Sequence, residues 1–227
     1  GGMKAFKWLT ISLVVLLLAA VALPFLVPLQ TYIPEIEEQA SAKLKEPVKI
    51  DILRLDLLPV PQVTAENISI GHGPDIQVKS ITVVPDLFSL PEPVRVLKSI
   101  ELDGVTVAQE VFGKIPAWTK FDGAPATIAV QRIVFRNLIL KFNQGPLGPL
   151  EGEVLLTNAG GVEQARLQTA DGKAKLLTRP EKPDRYALQF NAKGWKLPAG
   201  PALFFNELNA NGHATQNDLL VEHLAGK

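Results

Sequence analysis

Three histidines, His72, His213 and His223, are the only imidazoles in the 227-residue chain, and there is no cysteine. A metal site or a nucleophile and base pair draws first on these residue types. His72 sits in a glycine turn and the other two in a polar segment near the C-terminus, at no ligand spacing, so all three read as solvated side chains. The missing thiols remove disulfides, thiolate zinc sites, iron–sulfur clusters and cysteine nucleophiles together. No H-E-x-x-H, G-x-S-x-G, phosphate-binding glycine loop or dinucleotide fingerprint is present. The densest carboxylates, Glu35, Glu37 and Glu38, open a short helix, where they complement the helix dipole. Asp51 and Asp56 fall on alternating strand positions and are expected to face solvent. No catalytic constellation, metal or cofactor is expected, and an enzyme is the weakest of the readings considered.

The elements that would position these residues divide the chain unevenly. Lys and Arg total 23 against 23 Asp and Glu, so no basic excess marks a nucleic-acid partner. The chain is 47% apolar and 20% charged, which argues for a folded core rather than disorder. Much of the apolar excess is concentrated between Lys7 and Glu35, a run of 27 positions without a charge. Such a run exceeds the ~20 residues that a spanning helix needs. Residues 8–32 are therefore expected to form a transmembrane helix, anchored by Trp8, Ile11, Leu16, Leu23, Phe25, Leu29 and Tyr32, with a bend near Pro24 and Pro28. Residues 1–7 form the head, in which Gly1 and Gly2 read as a scar or an untrimmed start. Lys4 and Lys7 place that head on the cytoplasmic side. The competing reading is a secretory signal cleaved after Ala20-Val21-Ala22, and either reading exports the rest.

Residues 33–46 show helical spacing at Ile33, Ile36, Ala40 and Leu44, and predict a short amphipathic helix. From residue 47 to 227 the hydrophobic period is close to two, so this part is expected to be a mainly β domain: a curved antiparallel sheet, either a groove or an open sandwich. Turn residues at Gly71 to Pro74, Gly145 to Pro149, Asn158 to Gly161 and Asp171-Gly172 separate the strands. The proline-rich passage Val83 to Leu97 reads as an edge or loop with Leu87, Phe88 and Leu90 tucked against the sheet. Gly194 to Phe205 reads as an irregular apolar loop.

An eight-residue pattern occurs three times: VTAENISI from Val63, IELDGVTV from Ile100 and IVFRNLIL from Ile133. Each has apolar residues at positions one, three, six and eight, with Asn or Gly at five. The alternation changes phase after that fifth residue. A continuous strand can do this only through a bulge, and Asn and Gly tolerate the left-handed conformation a bulge uses. The alternative is a turn between two short strands at each site.

The order of a Lys-bearing head, an apolar span, IPEIEEQASAKLKEPVKI, LDLLPVPQVTAENISIG, IQVKSITVVPDLFSL and SIELDGVTVAQE resembles the N-terminal portion of AsmA-like proteins, over about residues 3 to 112. That family includes TamB and other bridge-like lipid transport proteins. The resemblance implies a bacterial inner-membrane protein with a single span, a cytoplasmic N-terminus and a periplasmic β-groove. It also implies phospholipid, or another acyl-chain lipid, as partner, and a role in transport or in outer-membrane homeostasis. It carries over no catalytic residue.

On this reading one alternating set, Ile50, Ile52, Val63, Ile68, Ile76, Val78, Ile100, Leu102, Ile133 and Phe135, lines the groove; equally, these residues could close an ordinary sandwich core. The other functional reading is a non-enzymatic assembly component of an envelope secretion or lipopolysaccharide-export machine that acts by β-edge pairing. The final segment NDLLVEHLAGK is strand-like and uncapped, so either the chain continues past Lys227 or another β protein adds to this edge.

Overall fold

The computed structural model describes residues 7–18, 28–73, 75–114, 128–158, 160–182, 185–196, 203–215 and 219–227. Residues 7–18 are helical, with Trp8, Ile11 and Leu16 all exposed. Pro28 is extended, Leu29–Tyr32 is a 3₁₀ turn, and α1 spans Ile33–Leu44 with Pro34 in its first turn. Among the described residues no helix is long and apolar enough to cross a membrane. The middle of the expected span, with Leu23 and Phe25, lies outside the described residues, and its expected end at Leu29 and Tyr32 is a separate turn that packs beside the sheet.

Twelve strands follow: β1 (Val48–Asp56), β2 (Gln62–Ile70), β3 (Ile76–Pro85), β4 (Arg95–Ala108), β5 (Ile128–Val130), β6 (Arg132–Phe142), β7 (Gly145–Leu156), β8 (Val162–Thr169), β9 (Ala174–Lys182), β10 (Arg185–Lys196), β11 (Phe204–Ala214) and β12 (Leu219–Gly226). They form one open, curved sheet in the order β1-β2-β3-β4-β6-β7-β8-β9-β10-β11-β12, with β5 beside β4. The pairing is antiparallel as expected except at one seam, where β4 runs parallel to both β5 and β6. That seam aligns Ile100 with Ile133 and Val107 with Leu140, so two copies of the eight-residue pattern lie side by side in phase.

The pattern is a left-handed residue inside a continuous strand, not a turn. Asn67 in β2, Gly104 in β4 and Asn137 in β6 have φ of 54°, 69° and 53°. Between β2 and β3 the register is the same on both sides of Asn67, so no extra residue is inserted there as a classical bulge would require. At Asn137 the β6–β7 register does shift by one residue between Phe135 and Leu138, as the expected bulge would. At Asn67 the left-handed residue instead turns the pleat, and the apolar positions before and after it reach the same face. Packing demonstrates this: Ala65, Ile81 and Leu102, from one phase, contact the buried cluster of Ile68, Val78 and Val105, from the other.

Helix α1 closes the first edge of the sheet. Ser41 Oγ accepts from Val48 N at 3.0 Å, Glu37 Oε2 accepts from Ile50 N at 2.9 Å, and Gln30 Nε2 donates to Leu53 O at 2.6 Å. These bonds satisfy strand groups that would otherwise template another chain. Ala40 and Leu44 then lap onto the apolar face against Val48 and its neighbours. A 3₁₀ turn at Gln109–Val111 brings Val111 onto the same cluster, and Lys114 Nζ meets Glu46 Oε1 at 2.5 Å to tie that turn to the segment after α1. This ion pair holds the Lys114 ammonium above its ordinary pKa.

Three expected loops differ. Gly145 to Pro149 lies inside β7, and the hairpin turns at Asn143 and Gln144 instead, where Phe142 pairs with Gly145. Gly194 to Lys196 extends β10, and Trp195 pairs with Phe205 of β11, while residues 197–202 lie outside the described residues. Leu87, Phe88 and Leu90 do not tuck in: all three are exposed.

Candidate functional site: the apolar face of the sheet

Reading the register from strand to strand joins residues into rows across the sheet. One row begins Leu53, Ala65, Ile81, Leu102 and Phe135. It continues through Gly152, Leu167, Leu176, Phe190, Ala210 and Leu224. The row beside it on the same face passes through Leu55, Val63, Val83, Ile100, Ile133, Val154, Ala165, Thr178, Leu188, Gly212 and Val221. Neither row contains a charge. Ten strand intervals at ~4.8 Å give each row a length of ~50 Å.

Among the described residues, helix α1 and the turn after β4 cover the β1 to β6 end of this face. Farther along, Phe135, Val154, Leu167, Leu176, Leu188 and Phe190 are half-buried. At Gly152 a Cβ would lie 2.5 Å from Phe135 Cζ, so the ring of Phe135 lies across this glycine and keeps the face low and continuous.

Of the residues expected to line a groove, Ile50, Ile68, Ile76 and Val78 lie under or beside α1 as part of the packed core. Val63, Ile100, Leu102, Ile133 and Phe135 lie on the uncharged rows. Ile52 departs from the set: it is 38% exposed and shares a row with Glu66, Ser80, Asp103 and Arg136. Leu53 takes its place, because the phase changes in β1 as it does in the repeats, although β1 has no Asn or Gly to mark the change. Sequence reading also missed Leu167, Leu176 and Phe190, and the signal available was their alternation with Arg166, Lys175 and Gln189.

Where the apolar face begins, α1 stands off from β1 and β2 and leaves a cleft of about 370 Å³. Leu29, Ile36, Leu53 and Val63 form its apolar walls, and Tyr32, Glu35 and Gln39 its polar rim. The cleft therefore opens at the head of both uncharged rows. Leu29 and Tyr32, expected as membrane anchors, are lining residues of this cleft.

The opposite face is polar and internally paired. Arg132 Nε and Arg166 Nη2 meet the two oxygens of Glu153 at 2.5 and 3.2 Å, and Gln168 donates to Glu151. The Arg132 hydrogen bond, followed by that of Arg166, holds the Glu153 carboxyl below the usual carboxylate range against the opposing effect of burial. His213 corrects the expectation of a solvated side chain, because its segment is strand β11 and not a tail. It is mostly buried, with Nε2 at 2.9 Å from Glu181 and Nδ1 at 2.5 Å from Glu222, and Arg185 flanks both carboxylates. His72 and His223 are exposed as expected. Among the described residues no group of three or more His, Cys, Asp or Glu could hold a metal ion.

An apolar N-terminal stretch, an amphipathic helix closing a sheet edge, and strands whose alternation flips at Asn or Gly make a specific order of parts. Residues 3–94 match the AsmA family model. The AsmA match takes in the N-terminal stretch, α1, the first three strands and the loop before β4, and so overlaps most of the resemblance read from the sequence. It points to a role at the cell envelope. No curated protein sequence matches the chain.

Proposed function

We propose that this AsmA-like chain is a single-pass inner-membrane protein with its sheet in the periplasm, and that it carries the acyl chains of phospholipid on the apolar face without covalent chemistry. The observation behind this reading is the pair of uncharged rows, ~50 Å long, with none of the described residues outside the sheet packed over them beyond the first strands. Each methylene removed from water by such a face contributes ~0.8 kcal/mol, so a chain of ordinary length is held without any specific contact. Because every step along a row offers the same chemistry, a lipid can slide. The cleft beside Ile36 and Leu53 is where loading begins.

Photocrosslinkers placed at Leu167 and Leu176 of the full chain in phospholipid vesicles are expected to capture lipid. The same group at Arg166 and Lys175, on the other face, is not. Equal capture on both faces, or none, refutes the reading.

A second reading rests on β12, whose eight residues are all exposed and whose outer edge pairs with no other strand among the described residues. Here the chain is an assembly component that accepts a strand of another β protein at that edge. Copurification of a partner that is lost on Leu220→Lys, with lipid capture unchanged, would favour this reading over the first.

A further inference from the structure

Across its first four strands, the loops at the two ends of the sheet have opposite character. At one end the turn after β2 carries Gly71-His72-Gly73, and those after β6 and β8 carry Asn143-Gln144 and Asp171-Gly172, all of them polar or small, with exposed Leu203 and Phe204 farther along at the start of β11. At the other end, the β1–β2 loop exposes Leu58 by 85% and Val60 by 45%, and the β3–β4 loop exposes Phe88 by 91% together with Leu87 and Leu90. Single exposed apolar residues are ordinary, but two adjacent loops of large side chains this fully exposed form a patch that calls for a partner.

The β3–β4 loop is held in this arrangement. Asp86 Oδ1 accepts from Phe88 N at 3.1 Å, and Ser89 Oγ donates to Asp86 O at 2.7 Å and accepts from Val96 N at 2.8 Å. Ser89 is buried while Phe88 faces out. Water alone would favour the reverse, so the hydrogen bonds fix an inverted loop whose apolar tip is built for a nonaqueous surface.

The location of this end decides which surface. The N-terminal apolar stretch joins the sheet here: Gln30 is bonded to Leu53 near the end of β1, and α1 runs from this end toward the other, with Glu37 at Ile50 and Ser41 at Val48. Asp86 and Glu92 lie among the apolar residues of the β3–β4 loop and Arg95 opens β4 beside them, the mixture suited to a headgroup boundary.

We infer that the β1–β2 and β3–β4 loops, through Leu58, Val60, Leu87, Phe88 and Leu90, insert into the bilayer interface beside the N-terminal stretch and seat the sheet end-on on the membrane. This second contact fixes the orientation of the sheet, which a single attachment leaves free, and it sets the cleft beside Ile36 against the bilayer that supplies its lipid. The inference rests on the membrane attachment in the proposed function, and the test separates the two.

The chain has no cysteine, so single cysteines carrying an environment-sensitive dye report one site each. The full chain is reconstituted in vesicles of phosphatidylethanolamine and phosphatidylglycerol with dye at Phe88→Cys, at His72→Cys in an opposite-end turn, or at Leu13→Cys in the N-terminal helix. The expected result is a blue shift and loss of emission to lipid-borne quenchers at positions 88 and 13, with position 72 left in water. Quenching at 13 with 88 as wet as 72 overturns the inference and leaves the attachment standing. Position 13 in water overturns both. Leu58→Glu with Phe88→Glu is a second check: both sites are solvent-exposed, so folding is retained, and quenching of a dye at Val60→Cys is expected to be lost.

Discussion

The ring of Phe135 occupies the space that a side chain at Gly152 would need. A Cβ at 152 would meet Phe135 Cζ at 2.5 Å and the backbone oxygen of Arg166 at 2.4 Å. The second clash is with backbone and has no rotamer to relieve it. Gly152→Ala is therefore expected to destabilise the sheet by about 1–3 kcal/mol, as overpacking does. Phe135→Leu in the same background should recover only part of that loss. Urea denaturation of the solubilised chain, followed by circular dichroism, measures both; full recovery would show that the ring alone excludes the side chain.

The left-handed positions make a second prediction, about backbone and not about packing. Asn67 has φ of 54°, and Asn tolerates this region through its short polar side chain. Asn67→Gly should leave stability nearly unchanged, and Asn67→Val should cost about 1–2 kcal/mol because a β-branched residue is strained there. If valine were neutral in the same denaturation experiment, the phase change would not depend on the left-handed residue.

On the polar face, Thr64 and Thr82 share a hydrogen bond of 3.1 Å, and Thr64 is 3% exposed. Removing one hydroxyl strands the other. Thr82→Val is expected to cost about 1–3 kcal/mol, and the Thr64→Val, Thr82→Val pair considerably less, because the pair leaves no unsatisfied group. A double-mutant cycle on the denaturation midpoints gives the coupling directly, and strict additivity would mean that the two hydroxyls do not act together.

Glu153 predicts how the sheet responds to acid. Its carboxyl is held below the usual range, chiefly by Arg132 and then by Arg166. A folded-state pKa below the unfolded one stabilises the native form above the unfolded value, and that contribution disappears as pH falls through the folded value. Arg132→Leu should therefore lower stability at pH 7 by about 0.2–1 kcal/mol, the range for an exposed pair, with a shrinking difference below pH ~4. Thermal melts of both proteins from pH 7 to 3 test this, and a difference that grew in acid would reverse the assignment.

Several features were legible because they are local. Asn and Gly at the fifth position of the repeats marked Asn67, Gly104 and Asn137, since few other residues adopt positive φ within a strand. Helical spacing located α1, expected over residues 33–46 and found at Ile33–Leu44. The same locality explains the errors. Ile52 looked like the continuation of Val48 and Ile50, but the face of a strand residue depends on its neighbours' pleat, and the phase change of β1 follows from pairing with β2. Phe88 looked like a core residue by type alone, and the hydrogen bonds of Asp86 and Ser89 turn it outward.

By itself, then, the sequence determined the β character of the chain, its charge neutrality, its lack of thiol chemistry and the sites of its left-handed residues, because composition, period and φ preference are properties of short stretches. Tertiary structure alone decided that β4 runs parallel to β6, that both phases of the alternation share one face, that α1 closes only the first edge, and that the apolar loops gather where the N-terminal stretch arrives. Each of these relates residues far apart in the chain, and only the register of the ladder and the packing over it bring them together.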